Sequence, residues 1–316
     1  MFAKKRSLAT LTLPALAALP LLLASCAAAR EPQAAALPQG AVTPQQWAAA
    51  CAEDAGWDDP GPPFRIHGNT WYVGTCGIAA ILITGDEGHV LIDSGTEKGA
   101  EVVVANIQRL GFKLDDVNLL LISHEHHDHA GGTALLQRLT GAELALSAEA
   151  ATVIASGRPD PADPQFGLNP EMTPASLGTV LPDDGRVMLG KLALQAIPTP
   201  GHTLGATSWQ WQSCAPAATA GAQADCRSIV YADSLSAYSN ASYRYGDHPE
   251  LVQAFRDGLD RVEAVQCSML LTPHPSASAM HPRAARGLPA DPAGCAAYAR
   301  AKRTALDERL AEEAAR

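Results

Sequence analysis

The sequence predicts one α/β domain built as a four-layer αβ/βα sandwich, and three observations carry that prediction. Strand-like runs and helix-like periods alternate over residues 78–156, and the alternation returns over 191–315, so two sets of strands each come with their own helices. Residues 117–122 form an apolar run of strand length, as expected of a strand covered on both faces. No GxGxxG and no P-loop sequence accompanies the strands, which argues against a doubly wound nucleotide-binding sheet.

The elements follow in order. A short helix is expected near 44–53, then a hairpin of strands 78–84 and 89–93 about Gly85-Asp86-Glu87-Gly88. Residues 97–110 have helical spacing that stops at Gly111. After the strand at 117–122 come a helix over 130–139, a strand over 143–146 and a helix over 148–156. Residues 157–182 are rich in Pro, Asp and Gly without period and form a long loop, a common place for binding residues. Strands are expected at 191–198, 208–212 and 228–232, with an Ala-rich insertion from Cys214 to Cys226, followed by a helix over 249–265, a strand over 269–271 and a helix over 291–315.

Composition bounds the function. Of 316 residues, 47% are hydrophobic and 18% charged, a globular balance with enough apolar surface for one large core. There are 33 Asp and Glu against 23 Lys and Arg, a net charge of −10, which argues against a nucleic-acid partner. Residues 1–26 read as an export signal: Lys4, Lys5 and Arg6 precede an apolar stretch over 8–23, too short and too interrupted by Pro14 and Pro20 to span a membrane comfortably. The stretch ends Leu23-Ala24-Ser25-Cys26, similar to a bacterial lipobox in which Cys26 carries a lipid anchor; cleavage at the small residues 27–29 is the alternative. Residues 27–46 read as a flexible tether, leaving 47–316 as the domain. Setting Cys26 aside, six of the seven cysteines remain, and an even number in an exported chain points to disulfides. Pairing of neighbours in sequence favours Cys51–Cys76, Cys214–Cys226 and Cys267–Cys295.

The most informative stretch is Ser123-His124-Glu125-His126-His127-Asp128-His129-Ala130-Gly131-Gly132, on the loop that leaves the buried strand. Alternation lets His124 and His126 point one way and Glu125 another. Asp128 and His129 then sit at the turn into the helix, and the glycines allow close backbone approach. Four N/O donors here exceed what one zinc takes from one loop, and two zincs need about six ligands. His202, after strand 191–198, and His274, after strand 269–271, complete that number.

HxHxDH after a strand, Asp93 at the end of an earlier strand, and Gly201-His202-Thr203 downstream resemble the metallo-β-lactamase superfamily over about residues 65–280. Three features resemble the third subclass of its zinc β-lactamases: His129 directly after Asp128, the serine-bearing run Tyr231-Ala232-Asp233-Ser234-Leu235-Ser236, and export with a Cys267–Cys295 pair. The resemblance implies a periplasmic or outer-membrane-anchored monomer that confers antibiotic resistance. It implies one zinc on His124, His126 and His202 and a second on Asp128, His129 and His274. Metal-bound hydroxide, oriented by Asp128, would attack the carbonyl of a small-molecule β-lactam. Asp93 would brace the metal loop, Ser234 and Ser236 would hold the substrate carboxylate, and Gln165 and Trp71 would wall the cleft. Two other readings stay open. An exported dizinc thioester or lactone hydrolase would use Asp233 to bridge the metals, and a zinc-binding scaffold would keep the fold without turnover.

Overall fold

Alternation within each strand explains the layering. Ile81 and Ile83 face one core and Leu82 another; Val90 and Ile92 are set against Leu91 in the same way, and Leu119 and Leu121 against Leu120. One sheet therefore buries both faces. A computed structural model describes residues 38–182, 185–217 and 223–316; the expected export signal, Cys26 and the tether up to residue 37 lie outside the described residues.

The first sheet has the spatial order β1 (Phe64–His67), β2 (Thr70–Tyr72), β3 (Ile81–Gly85), β4 (Gly88–Ile92), β5 (Val117–Leu121), β6 (Glu143–Leu146) and β7 (Thr179–Val180). It is antiparallel through β4 and parallel beyond. The second sheet has the order β12 (Met269–Leu271), β11 (Asp225–Tyr231), β10 (Thr207–Ala215), β9 (Leu192–Pro198) and β8 (Arg186–Leu189). Only its β11–β12 pair is parallel.

A central core lies between the sheets, where Trp209, Ile229, Tyr231 and Met269 meet Ile81, Val90 and Leu121. A second core lies under the outer helices α2 (Gly99–Arg109), α4 (Thr133–Thr140) and α5 (Ala148–Ser156). A third lies between the other sheet and the helices α6 (Pro249–Ala264) and α8 (Gly294–Ala314). Helix, sheet, sheet, helix is the expected four-layer sandwich.

The N-terminal helix α1 (Pro44–Ala50) starts at a reciprocal cap, in which Thr43 and Gln46 each accept from the other's backbone N–H. All three expected disulfides are present: Cys51–Cys76, Cys214–Cys226 and Cys267–Cys295.

Several elements differ from expectation. Strands β1 and β2 were not expected; at four and three residues about a Gly68-Asn69 turn they are too short to show a period. The helix expected over 130–139 is two, α3 (His127–Ala130) and α4, parted at Gly131 and Gly132. Gly132 packs against Ser94 and Ala100, and a Cβ there would meet Ala100 Cβ at 2.3 Å. The stretch from Cys214 to Cys226 is no free insertion at its ends, because β10 and β11 continue into it and the two cysteines face each other in register. The short helix α7 (Met280–Ala285) was also unexpected.

Candidate metal centre

The site forms where β4, β5, β9, β11 and β12 end. Asp93, directly after β4, holds a positive φ of 62°, strained for a residue with a side chain. Its carboxylate accepts from the Ser123 N–H at 2.6 Å, from Ser123 Oγ at 2.8 Å and from Tyr231 Oη at 2.7 Å. One buried carboxylate thus ties the ends of three strands from both sheets. Glu125 turns away from the site and accepts from Thr203 Oγ1 at 2.8 Å and Gly205 N–H at 3.0 Å, which fastens the loop that carries His202.

The six expected donors fall into two groups. His124, His126 and His202 bring ring nitrogens within 4.8 Å of one another, and all three are buried. His129 Nε2 lies 3.0 Å from Asp128 Oδ2 and 3.2 Å from His274 Nε2, and His274 Nε2 is 3.3 Å from Asp128 Oδ2. His124 also comes within 4.8 Å of Asp128 and His129, so the groups adjoin.

Each ring in the first group is held from behind. His124 Nδ1 donates to Asp233 Oδ1 at 2.8 Å, His126 Nε2 to Asp163 Oδ2 at 3.0 Å, and His202 Nδ1 lies 2.9 Å from Ser236 Oγ and 3.1 Å from the Ser236 carbonyl. These bonds fix ring orientation and leave the opposite nitrogens, His124 Nε2, His126 Nδ1 and His202 Nε2, as inward lone pairs. His124 Nε2 is buried without a partner.

These residues fit two zinc ions. An orphaned buried imidazole nitrogen in the first group and two imidazole Nε2 atoms 3.2 Å apart in the second are poorly satisfied by the chain alone, and a cation in each group resolves them. Burial, then the neighbouring imidazoles, hold His124 and His202 well below their ordinary pKa, so both are neutral and ready to ligate. His129 is the opposite case: burial opposes its charge, but Asp128 and Asp93 outweigh it and push the pKa up to about 10. Asp128 stays ionised, since His129 and His274 outweigh its burial.

Four of the six donors, His126, Asp128, His202 and His274, line a cleft of about 660 Å³. Gln165 lies in its wall as expected, with Nε2 3.4 Å from the His202 ring nitrogens. Ser234 also lines it, its Oγ buried and without a partner, whereas Ser236 Oγ is already engaged by His202. Trp71 does not line it. It sits on the helix side of the first sheet beside Phe112 and under the Arg65 guanidinium, because β2 turns it away from the inter-sheet core.

The site residues that sequence reasoning missed include Trp57 and Lys302, which line the cleft, and Asp163, which holds His126. None carried a motif. Lys302 lies one helical turn beyond the buried Tyr298 and reads in sequence as a solvated helix face. Asp163 is one of several acids in an aperiodic loop.

Residues 73–214 match the family profile described as the metallo-beta-lactamase superfamily. Among solved structures, the chain is 51% identical to the MIM-2 metallo-β-lactamase, covering 87% of this chain and 100% of that one with a TM-score of 0.81. It is 47% identical to MIM-1 from Novosphingobium pentaromativorans (86% and 98% covered, TM-score 0.80). It is 39% identical to MEM-A1, a subclass B3 metallo-β-lactamase from a soil metagenome library (82% and 99% covered, TM-score 0.76). Curated relatives include hydroxyacylglutathione hydrolases of Albidiferax ferrireducens, 32% identical over 39% of this chain and 38% of that protein, and of Anaeromyxobacter dehalogenans, 28% identical over 57% and 56%. The match thus spans 38% and 56% of the length of those two curated relatives. Identity sustained along nearly the whole of several solved relatives, together with two adjoining His/Asp clusters at the strand ends, makes this chain a hydrolase of the metallo-β-lactamase superfamily, resembling its subclass B3.

Proposed function

We propose that this protein hydrolyses the amide of β-lactams, with one zinc on His124, His126 and His202 and a second on Asp128, His129 and His274. The observation that carries the reading is the position of Asp233. A dizinc thioester hydrolase of this fold needs that carboxylate between the metals, but here Oδ1 is spent on the far nitrogen of His124 at 2.8 Å. The solved relatives named as β-lactamases, matched along almost their full length, support the same choice.

Two bound zincs would polarise a carbonyl and bring a water's pKa near neutral. The chain's own residues supply the rest. Asp128, ionised and lining the cleft, accepts a hydrogen bond from the attacking water and orients it. Asp233, Asp163 and Ser236 keep three imidazoles aimed inward. Trp57, Leu168 and Tyr238 give the cleft apolar walls with few fixed donors, which suits lactams of varied side chain. Three disulfides support export to an oxidising compartment, the periplasm in this reading.

The curated relatives favour a second reading, hydrolysis of an acylglutathione thioester. Zinc-loaded protein assayed on a penicillin, a cephalosporin, a carbapenem and a hydroxyacylglutathione separates the two. Lactam kcat/KM is expected to exceed that for the thioester by at least ~100-fold and to vanish on chelation. The reverse preference overturns the proposal, and activity that survives full zinc removal overturns the metal mechanism.

A further inference from the structure

Helix α8 packs Tyr298 against the loop after β11, where Tyr298 Oη donates to the Ser234 carbonyl at 2.7 Å and lies 3.1 Å from the Asp233 carbonyl. One turn later Lys302 lays its ammonium 5.1 Å from the Tyr298 ring and emerges in the cleft wall beside Ser234 and His274. Among the described residues no carboxylate lies within ion-pair distance of it. Asp233 attracts it from further away, but that carboxylate already serves His124. Ser234 Oγ, 4% exposed as a residue, is buried with no partner.

A half-buried cation without a counter-ion and a buried hydroxyl without an acceptor both carry a cost, and in one cleft wall a single anion relieves both. Burial also pushes the Lys302 pKa down, a cost that an anion would offset. Ser236 is less suited to the task, because its Oγ is held on His202 Nδ1 at 2.9 Å.

We propose that Lys302, carried on the C-terminal helix and paired with Ser234, is the specificity-determining residue that reads a carboxylate on the substrate beside the second metal cluster. The inference rests on taking this cleft as the substrate site. It differs from the sequence expectation in replacing two neutral serines by one serine and a charge. Lys302 sits on a platform: the Tyr298 ring lies beneath its ammonium, and the Cys267–Cys295 bridge fastens the start of the same helix. Lys302, Ser234 and His274 line the same cleft, which puts a carboxylate captured there in the cleft that holds the second ligand group.

The test is a binding measurement without turnover. Titrate zinc-loaded wild type, Lys302→Met and Lys302→Arg with mercaptoacetate and with its uncharged counterpart 2-mercaptoethanol, by calorimetry, after checking that each variant keeps two zinc equivalents and the wild-type circular dichroism. Lys302→Met should bind mercaptoacetate ~10- to 100-fold more weakly, the range for a lost charge-assisted hydrogen bond, while 2-mercaptoethanol is unchanged. Lys302→Arg should restore most of the difference. Equal mercaptoacetate affinity in wild type and Lys302→Met overturns the proposal, as does an equal loss for both thiols. Because neither ligand is hydrolysed, the result stands apart from the lactam assay. A protein that ignores lactams yet loses the anion in Lys302→Met fails the functional reading and keeps this one.

Discussion

The two ligand groups share one cleft but are built differently. In the first, all three imidazoles are held from behind at 2.8 to 3.0 Å by Asp233, Asp163 and Ser236, so the inward nitrogens are aimed before any metal arrives. In the second, His129 Nδ1 lies 3.5 Å from Asp93 without a hydrogen bond. His274 keeps 28% of its side chain exposed, its ring set against Asp128 and His129 with the Trp57 ring tilted 6.3 Å away. The first group is preorganised, with His124 and His202 neutral, whereas in the second His129 carries a proton that a metal must displace. Two chemically similar triads should therefore differ in affinity because of what stands behind them.

The widest gap should come from deleting a ligand on either side. His124→Ala is expected to reduce hydrolysis by at least ~1000-fold and empty the first site, since it removes the ring that adjoins both groups. His274→Ala should leave about one zinc per chain. Metal analysis of both proteins checks this, and two equivalents retained by His274→Ala would mean the second ligand set is wrongly assigned.

A smaller effect is expected one step back from the metals. Asp233→Asn and Asp163→Asn each keep shape but weaken the bond that orients an imidazole, and first-site zinc affinity should fall about 10- to 100-fold. Competition with a chromophoric chelator reads this. If either variant weakens the second site more than the first, the contrast between the groups is misplaced.

The smallest effect is in protons. A His129 pKa of about 10 lies above its unfolded value of 6.5, so its proton stabilises the metal-free fold fully below pH 6.5, and that contribution is lost as pH rises through about 10. At pH 7 zinc must expel this proton, so second-site affinity should weaken about tenfold for each unit the pH falls. His124 and His202 are already neutral and release none. Calorimetry in buffers of different ionisation enthalpy counts the protons; equal release at both sites would remove the distinction.

The sequence made the ligands legible because they follow short-range rules. His124 and His126 alternate off a strand, Asp128 and His129 open a helix, and His202 and His274 each follow a strand end. The αβ/βα order was legible for the same reason, since each long element buries one stripe or both faces. What braces those ligands was not. The Asp163 bond spans 37 positions and the Asp233 bond 109, and neither leaves a periodic trace. Lys302 was hidden because a lysine on a polar helix with no clear apolar stripe reads as solvent-facing, and the packing of Tyr298 against the loop after β11 brings that turn to the cleft.

The Cys214–Cys226 bridge closes the β10–β11 ribbon at the end away from the chemistry. The ladder runs from Trp209↔Tyr231, next to the metal loop, through six further pairs to Ala215↔Asp225. At about 3.4 Å per residue, the crosslink stands roughly 17 Å from the site end of that ribbon. Cloning a reporter, affinity tag or surface-immobilisation handle between these two cysteines would therefore place the graft on a covalently clamped stem, on the side of the molecule from which the cleft is not entered.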